Sequence, residues 1–338
     1  MLDIRNKTPF AADLAPMLDK HGREAAVIAI KGTFAIRGKS QTLQPAEKQE
    51  PIVSGDVYHG EPDVSSLKYE SDILPPKPGT DVSLLGHAYA REPGKPFVDT
   101  GLKVGGLSKV VRVFGDRVWF KAMGFWVPSD PVPFEKIPVM YERAFGGKDF
   151  SHPDKKKHAV ERRNPVGAGF VTQGKDGYLE NLPLPNLEDP NDLITDSGDK
   201  PAPAGFGLLA AHWLPRQAFS GTYDDAWRAN RFPFLPEDFD ERFFHSASPG
   251  LTSPKKMAGG EPVRYVNLSA DHDVTFVLPK RAIKVTADVK GKTGSYPALL
   301  DTVVIEPDEN RIMLTWKVVI PCNRQFLYVD RIRIEAAA

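Results

Sequence analysis

Ile283-Lys-Val-Thr-Ala-Asp-Val289 alternates apolar and polar side chains along its whole length. Successive side chains of a β-strand point to opposite faces, so this pattern predicts a strand with one buried and one wet face, the habit of an antiparallel sheet. The stretches around it repeat the theme. Val263 to Leu268, Val274 to Leu278, Leu299 to Glu306 and Arg311 to Ile320 are strand-length and rich in β-branched and aromatic residues, and Glu306-Pro-Asp-Glu-Asn310 supplies a turn between the last two. The C-terminal third is therefore expected to be antiparallel β.

The N-terminal third carries the same signals. Ala25 to Ile36 is an apolar, β-branched run closed by Arg37-Gly38, expected as a buried strand kinked at Gly32. Asp81 to Ala90 reads as another strand. Lys109-Val-Val-Arg-Val-Phe-Gly-Asp-Arg-Val-Trp-Phe120 reads as a hairpin, with Gly115-Asp116 as the pair able to take the positive φ angles of a primed turn. Gln41 to Pro78 is polar and broken by turn residues, so loop is expected there. Trp119 and Trp316 sit among β-formers and are expected in the core.

Between these thirds the periodicity vanishes. From Met140 to Phe244, Gly and Pro recur every few residues beside Tyr, Phe, Trp, Arg and Asn, and no period of 2 or 3.6 persists. The aromatic content opposes disorder, so an ordered, irregular recognition surface is expected. Two short helices are predicted within it. Thr222 would cap one over 222–230, and Pro236 would open the other, with the aromatic faces of both packed as core. The resulting fold class is mainly β: two antiparallel, sandwich-like sheet lobes, 1–135 and 256–338, bracketing an irregular centre, 136–255, in one integrated domain.

Composition narrows the function. In 338 residues, 41% hydrophobic, 44 basic side chains balance 44 acidic ones, so no net field draws a polyanion and nucleic acid is not expected as a partner. The basic window from Lys148 to Arg163 lacks interleaved aromatics for base stacking and reads as a solvated loop. Cys322 is the only cysteine, which excludes an intrachain disulfide and a cysteine-based zinc site. The N-terminus has no apolar leader segment, and no run of about 18 apolar residues occurs. A cytoplasmic chain without a membrane partner is the expectation.

Catalytic signatures fail in turn. No phosphate-binding G-x-x-x-x-G-K-[ST] and no G-x-S-x-G elbow are present, and Gly105-Gly106 reads as a turn between strands. Asp271-His272-Asp273 reads as a polar hairpin turn before it reads as a metal site, and His245-Ser246 lacks an orienting third group. No catalytic residue, metal or cofactor is assigned. The alternative reading is a hydrolase or carbohydrate-binding enzyme using Glu142, Asp224 or Asp238. Glu142 and Arg143, flanked by Tyr141 and Phe145, read either as an ion pair beneath aromatics or as an interface hot spot.

The central fragments also carry a family likeness. Tyr141-Glu-Arg-Ala-Phe-Gly-Gly147, Asn164-Pro-Val-Gly-Ala-Gly-Phe170, Leu184-Pro-Asn-Leu-Glu-Asp-Pro190, Pro203-Ala-Gly-Phe-Gly207, Trp213-Leu-Pro-Arg216, Gly221-Thr-Tyr-Asp224, Phe234-Leu-Pro-Glu-Asp-Phe-Asp240 and Arg242-Phe-Phe244 occur in order. Together they resemble a bacterial family of unknown function encoded beside type VI secretion spike genes. The resemblance runs from Asn6-Lys-Thr-Pro-Phe10 to Asn267-Leu268. It implies a non-catalytic, cytoplasmic adaptor or chaperone that binds a secreted effector and assists its loading onto the VgrG spike, often through a PAAR tip domain. The family supplies no residue roles. Because Tyr, Trp and Arg dominate interface hot spots, Tyr141, Arg143, Phe145, Arg163, Phe206 and Trp213 are the expected partner contacts.

Overall fold

The computed structural model describes residues 3–37, 42–92, 94–172, 178–322 and 326–337. Gly38 and Gln41, which bounded elements in the sequence reading, lie outside them. In chain order the principal strands begin with β1 (Asp3–Asn6), β2 (Ala11–Leu18), β3 (Glu24–Ala35), β4 (Thr80–Leu84), β5 (Phe97–Val104) and β6 (Leu107–Phe114). A short ribbon, β7 (Trp119–Ala122) and β8 (Phe125–Pro128), follows. After the centre come β9 (Pro262–Val266), β10 (Asp273–Val277), β11 (Ile283–Val289), β12 (Lys292–Pro297), β13 (Leu299–Glu306), β14 (Arg311–Pro321) and β15 (Val329–Ala336).

Three largely antiparallel sheets carry this mainly β fold. The largest runs Thr252–Ser253, β4, β13, β14, β3, β2, with Gln44–Pro45 paired to the end of β3. The second runs Leu187–Glu188, β6, β5, β9, β10, and the third β1, β15, β11, β12. Each draws strands from both ends of the chain. β3 lies antiparallel to β14 over its whole length, β4 parallel to β13, β1 parallel to β15, and β5 antiparallel to β9. Hydrogen bonds therefore interleave 1–135 with 256–338, and cuts at 135 and 255 separate no sheet. Periodicity tells which face of a strand is buried but is silent on which strand lies beside it.

The paired strands β3 and β14 form the spine, buried on both faces as a continuous apolar run predicts. The two faces differ. Ile28, Ile30, Trp316 and Val318 lie on an apolar face, whereas Lys31, Thr33, Thr315 and Lys317 share the other and are buried all the same. The connector before β4 covers that polar face. Asp72 accepts from Lys31 Nζ at 2.9 Å and from Thr315 Oγ1 at 3.0 Å, Gln49 pairs with the Thr33 backbone, and Lys317 donates to Leu74 O at 2.9 Å. Loop composition here encodes a lid over buried polar groups.

Local structure departs from the sequence reading at several turns. Gly115-Asp116 joins no hairpin: β6 pairs with β5 through Gly105-Gly106, and β7 pairs with β8 through Met123-Gly124, whose φ angles of 50° and 88° fit a primed turn. Gly115 serves close approach instead, since a Cβ there would lie 1.6 Å from the Val132 carbonyl oxygen. Gly32 brings no kink; the ladder to Leu314 is continuous, and the Phe10 ring occupies the space a side chain would fill. The expected strand over 81–90 breaks at Leu85-Gly86 into β4 and His87–Tyr89. The helix expected from Thr222 is α1 (Asp225–Asn230), capped by Asp224, whose carboxylate accepts from Trp227 N at 2.8 Å. It buries no residue, so its aromatic face is surface rather than core. Around Pro236 the helical turn is delayed to Glu241–Phe244.

One hydrophobic core runs through all three sheets, and a satellite of Trp119, Phe145, Leu179, Leu184 and Ile194 lies under the centre. Trp119 and Trp316 are both buried, as expected. Phe10 packs between Trp316, stacked at 5.7 Å, and Phe34 at 5.6 Å, which pins the chain between β1 and β2 to the spine. Trp316→Ala should therefore destabilise by about 3–5 kcal/mol in a denaturant titration. A loss below about 1 kcal/mol would be incompatible with this packing.

Candidate functional site

The irregular centre is held from inside. Asn164 is fully buried, and its side-chain amide donates to Tyr141 O at 2.7 Å and Phe145 O at 3.0 Å, tying two of the Gly-rich segments together. Gly146 meets the Asn164 carbonyl so closely that a Cβ would lie 2.1 Å from its oxygen. Tyr141 packs edge-on against Trp213 at 5.8 Å and donates to Ser248 Oγ at 2.9 Å. The fragments that looked like recognition loops are thus each other's packing partners.

This placement corrects most of the expected contact residues. Tyr141, Phe145, Phe206 and Trp213 are at most 2% exposed and cannot touch a partner in the folded chain. Arg143 and Arg163 remain half-buried at the surface. Arg143 reaches Asn186 Oδ1 at 3.0 Å and Asp116 Oδ1 at 3.4 Å, and Arg163 forms a fork with Glu161 at 2.9 and 2.7 Å. Glu142 and Arg143 form no ion pair, because Glu142 accepts from Ser66 N and Oγ, both at 2.7 Å.

The three carboxylates of the enzyme reading do not converge. Glu142 is bound to Ser66, while Asp224 and Asp238 line a different concavity beside Trp227. Asp224 caps α1, and the backbone and hydroxyl of Thr222 hold the Asp238 carboxyl below the usual range, opposite to the shift a neutral-pH general acid requires. A separate cavity of about 300 Å³ is lined by His59, Tyr69, His87, Glu306, Asp308 and Arg311 among others. Two of its carboxylates, Glu306 and Asp308, already have partners. Arg311 and the Tyr69 hydroxyl hold Glu306, and Asp308 accepts from Tyr89 at 2.5 Å and contacts His87 Nδ1 at 2.6 Å.

Beneath the centre lies a buried network of charges that composition did not announce. Lys77 Nζ contacts Asp81 and Glu70, each at 2.7 Å; Arg216 bonds Glu70 at 2.8 Å; Asp301 pairs with Lys256 at 2.6 Å and Lys317 at 3.2 Å. Asp81 further accepts from Ser246 N, Ala247 N and Thr252 Oγ1, and contacts His245 Nδ1 at 2.8 Å. Burial pushes the Asp81 carboxyl up, but the Lys77 ammonium and His245 outweigh it and hold it below the usual range. Burial likewise opposes ionisation of Glu70 and Asp301, and their cations prevail.

Among the described residues, the β7–β8 ribbon leaves an apolar surface open. Residues paired across it share a face, so Trp119, Lys121, Trp126 and Pro128 lie on one side and Phe120, Ala122, Phe125 and Val127 on the other. The first side anchors the ribbon through Trp119 and Trp126 to the satellite core. The second side is apolar throughout and faces outward, with Phe125 74% exposed and Met123 at the tip completely so. Sequence reasoning missed it because the mistaken hairpin at Gly115-Asp116 divided the ribbon. The apolar doublets around Met123-Gly124 were the available signal.

Carboxylates with depressed folded pKa values stabilise above their unfolded pKa, near 4, and lose that contribution as pH falls below it. Asp81→Asn should cost about 3–5 kcal/mol at neutral pH by leaving Lys77 incompletely paired. Between about pH 5 and 3 the variant should also lose stability less steeply than wild type, as read by chemical denaturation across that range.

A family model described as an uncharacterized protein conserved in bacteria, DUF2169, matches residues 21–317. No curated protein and no solved structure matches the chain.

Proposed function

We propose, for a chain that belongs to the bacterial family DUF2169, a role as a non-catalytic adaptor that binds a secreted type VI effector in the cytoplasm and assists its loading onto the VgrG spike and PAAR tip. The partner's identity rests on the resemblance of the central motifs. The mode of binding rests on the outward face of the β7–β8 ribbon, which is the observation that carries the reading.

A solvated strand face is ordinarily polar, and contiguous exposed apolar surface marks an interaction site. An isolated two-stranded ribbon has little stability of its own, so Trp119 and Trp126 do the anchoring while Phe120, Met123 and Phe125 are free to enter an apolar groove. The surrounding charge favours a protein over a lipid surface or nucleic acid. Lys121 is the only cation on the ribbon, and Asp116 and Asp130 flank it, where anionic lipid or phosphate would call for a basic cluster. Arg143, at the foot of the ribbon beside Asp116, supplies a polar rim contact.

Replacing Phe125 with Asp and Met123 with Ser should weaken effector binding by about 30-fold or more, the effect of losing about 2 kcal/mol at a hot spot, while leaving the melting temperature close to wild type. Co-purification and titration calorimetry with the effector encoded beside this gene read the affinity. A wild-type chain that retains no effector sinks the adaptor reading. Binding that survives in the folded ribbon variant places the interface elsewhere.

A further inference from the structure

Two connectors place cations beside apolar residues, Pro254-Lys-Lys-Met-Ala258 and Pro279-Lys-Arg-Ala-Ile283. They meet in space. Together with the junction of β12 and β13 and with Trp316 on β14, they line a cavity of about 470 Å³, a volume typical of small-molecule sites. Met257, Ile283, Leu300 and Trp316, all buried, give it an apolar floor, and exposed Leu299 lines it too. Among the described residues no carboxylate lines it, and its charged groups are Lys256, Arg281 and Lys284.

The three cations differ in what they already hold. Lys256 Nζ is taken by Asp301 at 2.6 Å. Lys284 is exposed and has Glu335 beyond ion-pair distance, while Glu335 itself pairs with Lys7 at 2.7 Å. Arg281 is also exposed, and its guanidinium has no hydrogen-bond acceptor among the described residues. It lies over the Phe34 ring at 5.8 Å, which keeps the charge beside the aromatic stack of Phe34, Phe10 and Trp316. A second donor is open on the same wall. Trp316 is 3% exposed, yet its indole N–H has no acceptor among the described residues, whereas a buried indole ordinarily finds one.

We infer that this cavity binds an amphiphilic carboxylate, an organic anion whose apolar body lies on the floor of Met257, Ile283, Leu300 and Trp316 and whose carboxylate takes the Arg281 fork. A guanidinium matches the two oxygens of a carboxylate in one bidentate contact, and Lys284 adds charge of the same sign. Each part of the ligand answers a part of the site. A neutral apolar molecule would leave Arg281 without an acceptor, and a bare inorganic anion would leave the floor uncovered. The cavity shares no residue with the β7–β8 ribbon, so this inference stands or falls independently of the adaptor role.

The test titrates the intact chain with octanoate and follows its five tryptophan indole N–H resonances by NMR, with Trp316→Phe assigning the one that matters. Octanoate should shift the Trp316 resonance saturably. Hexanoate should bind about tenfold more weakly, because each buried methylene is worth roughly fourfold in affinity. Octanol, which lacks the charge, should also bind about tenfold more weakly than octanoate. Arg281→Ala removes a side chain that holds no hydrogen bond in the fold, so its melting temperature should match wild type. That variant should lose about tenfold in octanoate affinity and keep its affinity for octanol. Any of four results overturns the inference: octanoate shifts that spare Trp316 and fall on other indoles, octanol binding as tightly as octanoate, inorganic phosphate displacing octanoate at equal concentration, or an Arg281→Ala variant that binds octanoate like wild type.

Discussion

The ion pair between Lys77 and Asp81 is the contact on which the arrangement of the centre depends. Removing two such charges from water costs several kcal/mol for each, and their attraction offsets that cost only when the remaining donors and acceptors are also satisfied. Asp81 meets the condition by collecting His245, the 246–247 backbone and Thr252; Lys77 meets it with Glu70, which in turn collects Arg216. Arg216 then donates to Leu209 O at 2.7 Å and Phe243 O at 3.0 Å. Segments far apart in sequence are thus tied to strand β4 through polar groups that have nowhere else to go.

That constraint explains how a stretch without periodicity can be ordered. Regular elements satisfy their own backbone groups, whereas loops need side chains to do it. Asn164 and Arg216 perform this service for the centre, and the aromatic residues fill the volume between them. Of the aromatic content that suggested a recognition surface, Tyr141, Phe145, Phe206 and Trp213 are consumed by packing. Such residues suit interface hot spots and irregular cores for the same reason, a large contact area with a few directional polar atoms, so composition alone could not divide the two roles.

The proposed partner surface is the β7–β8 ribbon, whose outward face carries exposed Phe120, Met123 and Phe125. Its anchoring face and its open face come from the same few residues, because alternation in a strand sends neighbours in opposite directions. The ribbon begins next to Arg117, which donates to Pro185 O at 2.8 Å and contacts Glu188, and Arg143 joins Asn186 and Asp116 there. The proposed adaptor role calls for a surface held rigidly enough to avoid an ordering cost on binding, and this polar foot together with the Trp119 anchor holds the ribbon in that way.

Much of the fold was legible in the residues themselves. The alternation at Ile283 to Val289, the apolar run from Ala25 to Ile36 and the β-branched stretches at Leu299 to Glu306 and Arg311 to Ile320 each specify a strand and its buried face, because side-chain direction is a local property of the backbone. Burial of Trp119 and Trp316 followed from the same reasoning. Turn chemistry was ambiguous, since Gly115 answers to a carbonyl contributed by residue 132 and not to its own φ angle. Only the tertiary structure decided that β3 lies on β14, that Lys77 meets Asp81 inside the protein, that Tyr141 and Trp213 are core, and that Phe125 is surface. Those outcomes depend on which segments from opposite ends of the chain come together, and pairing, desolvation and close approach are properties of two partners that neither one's local sequence contains.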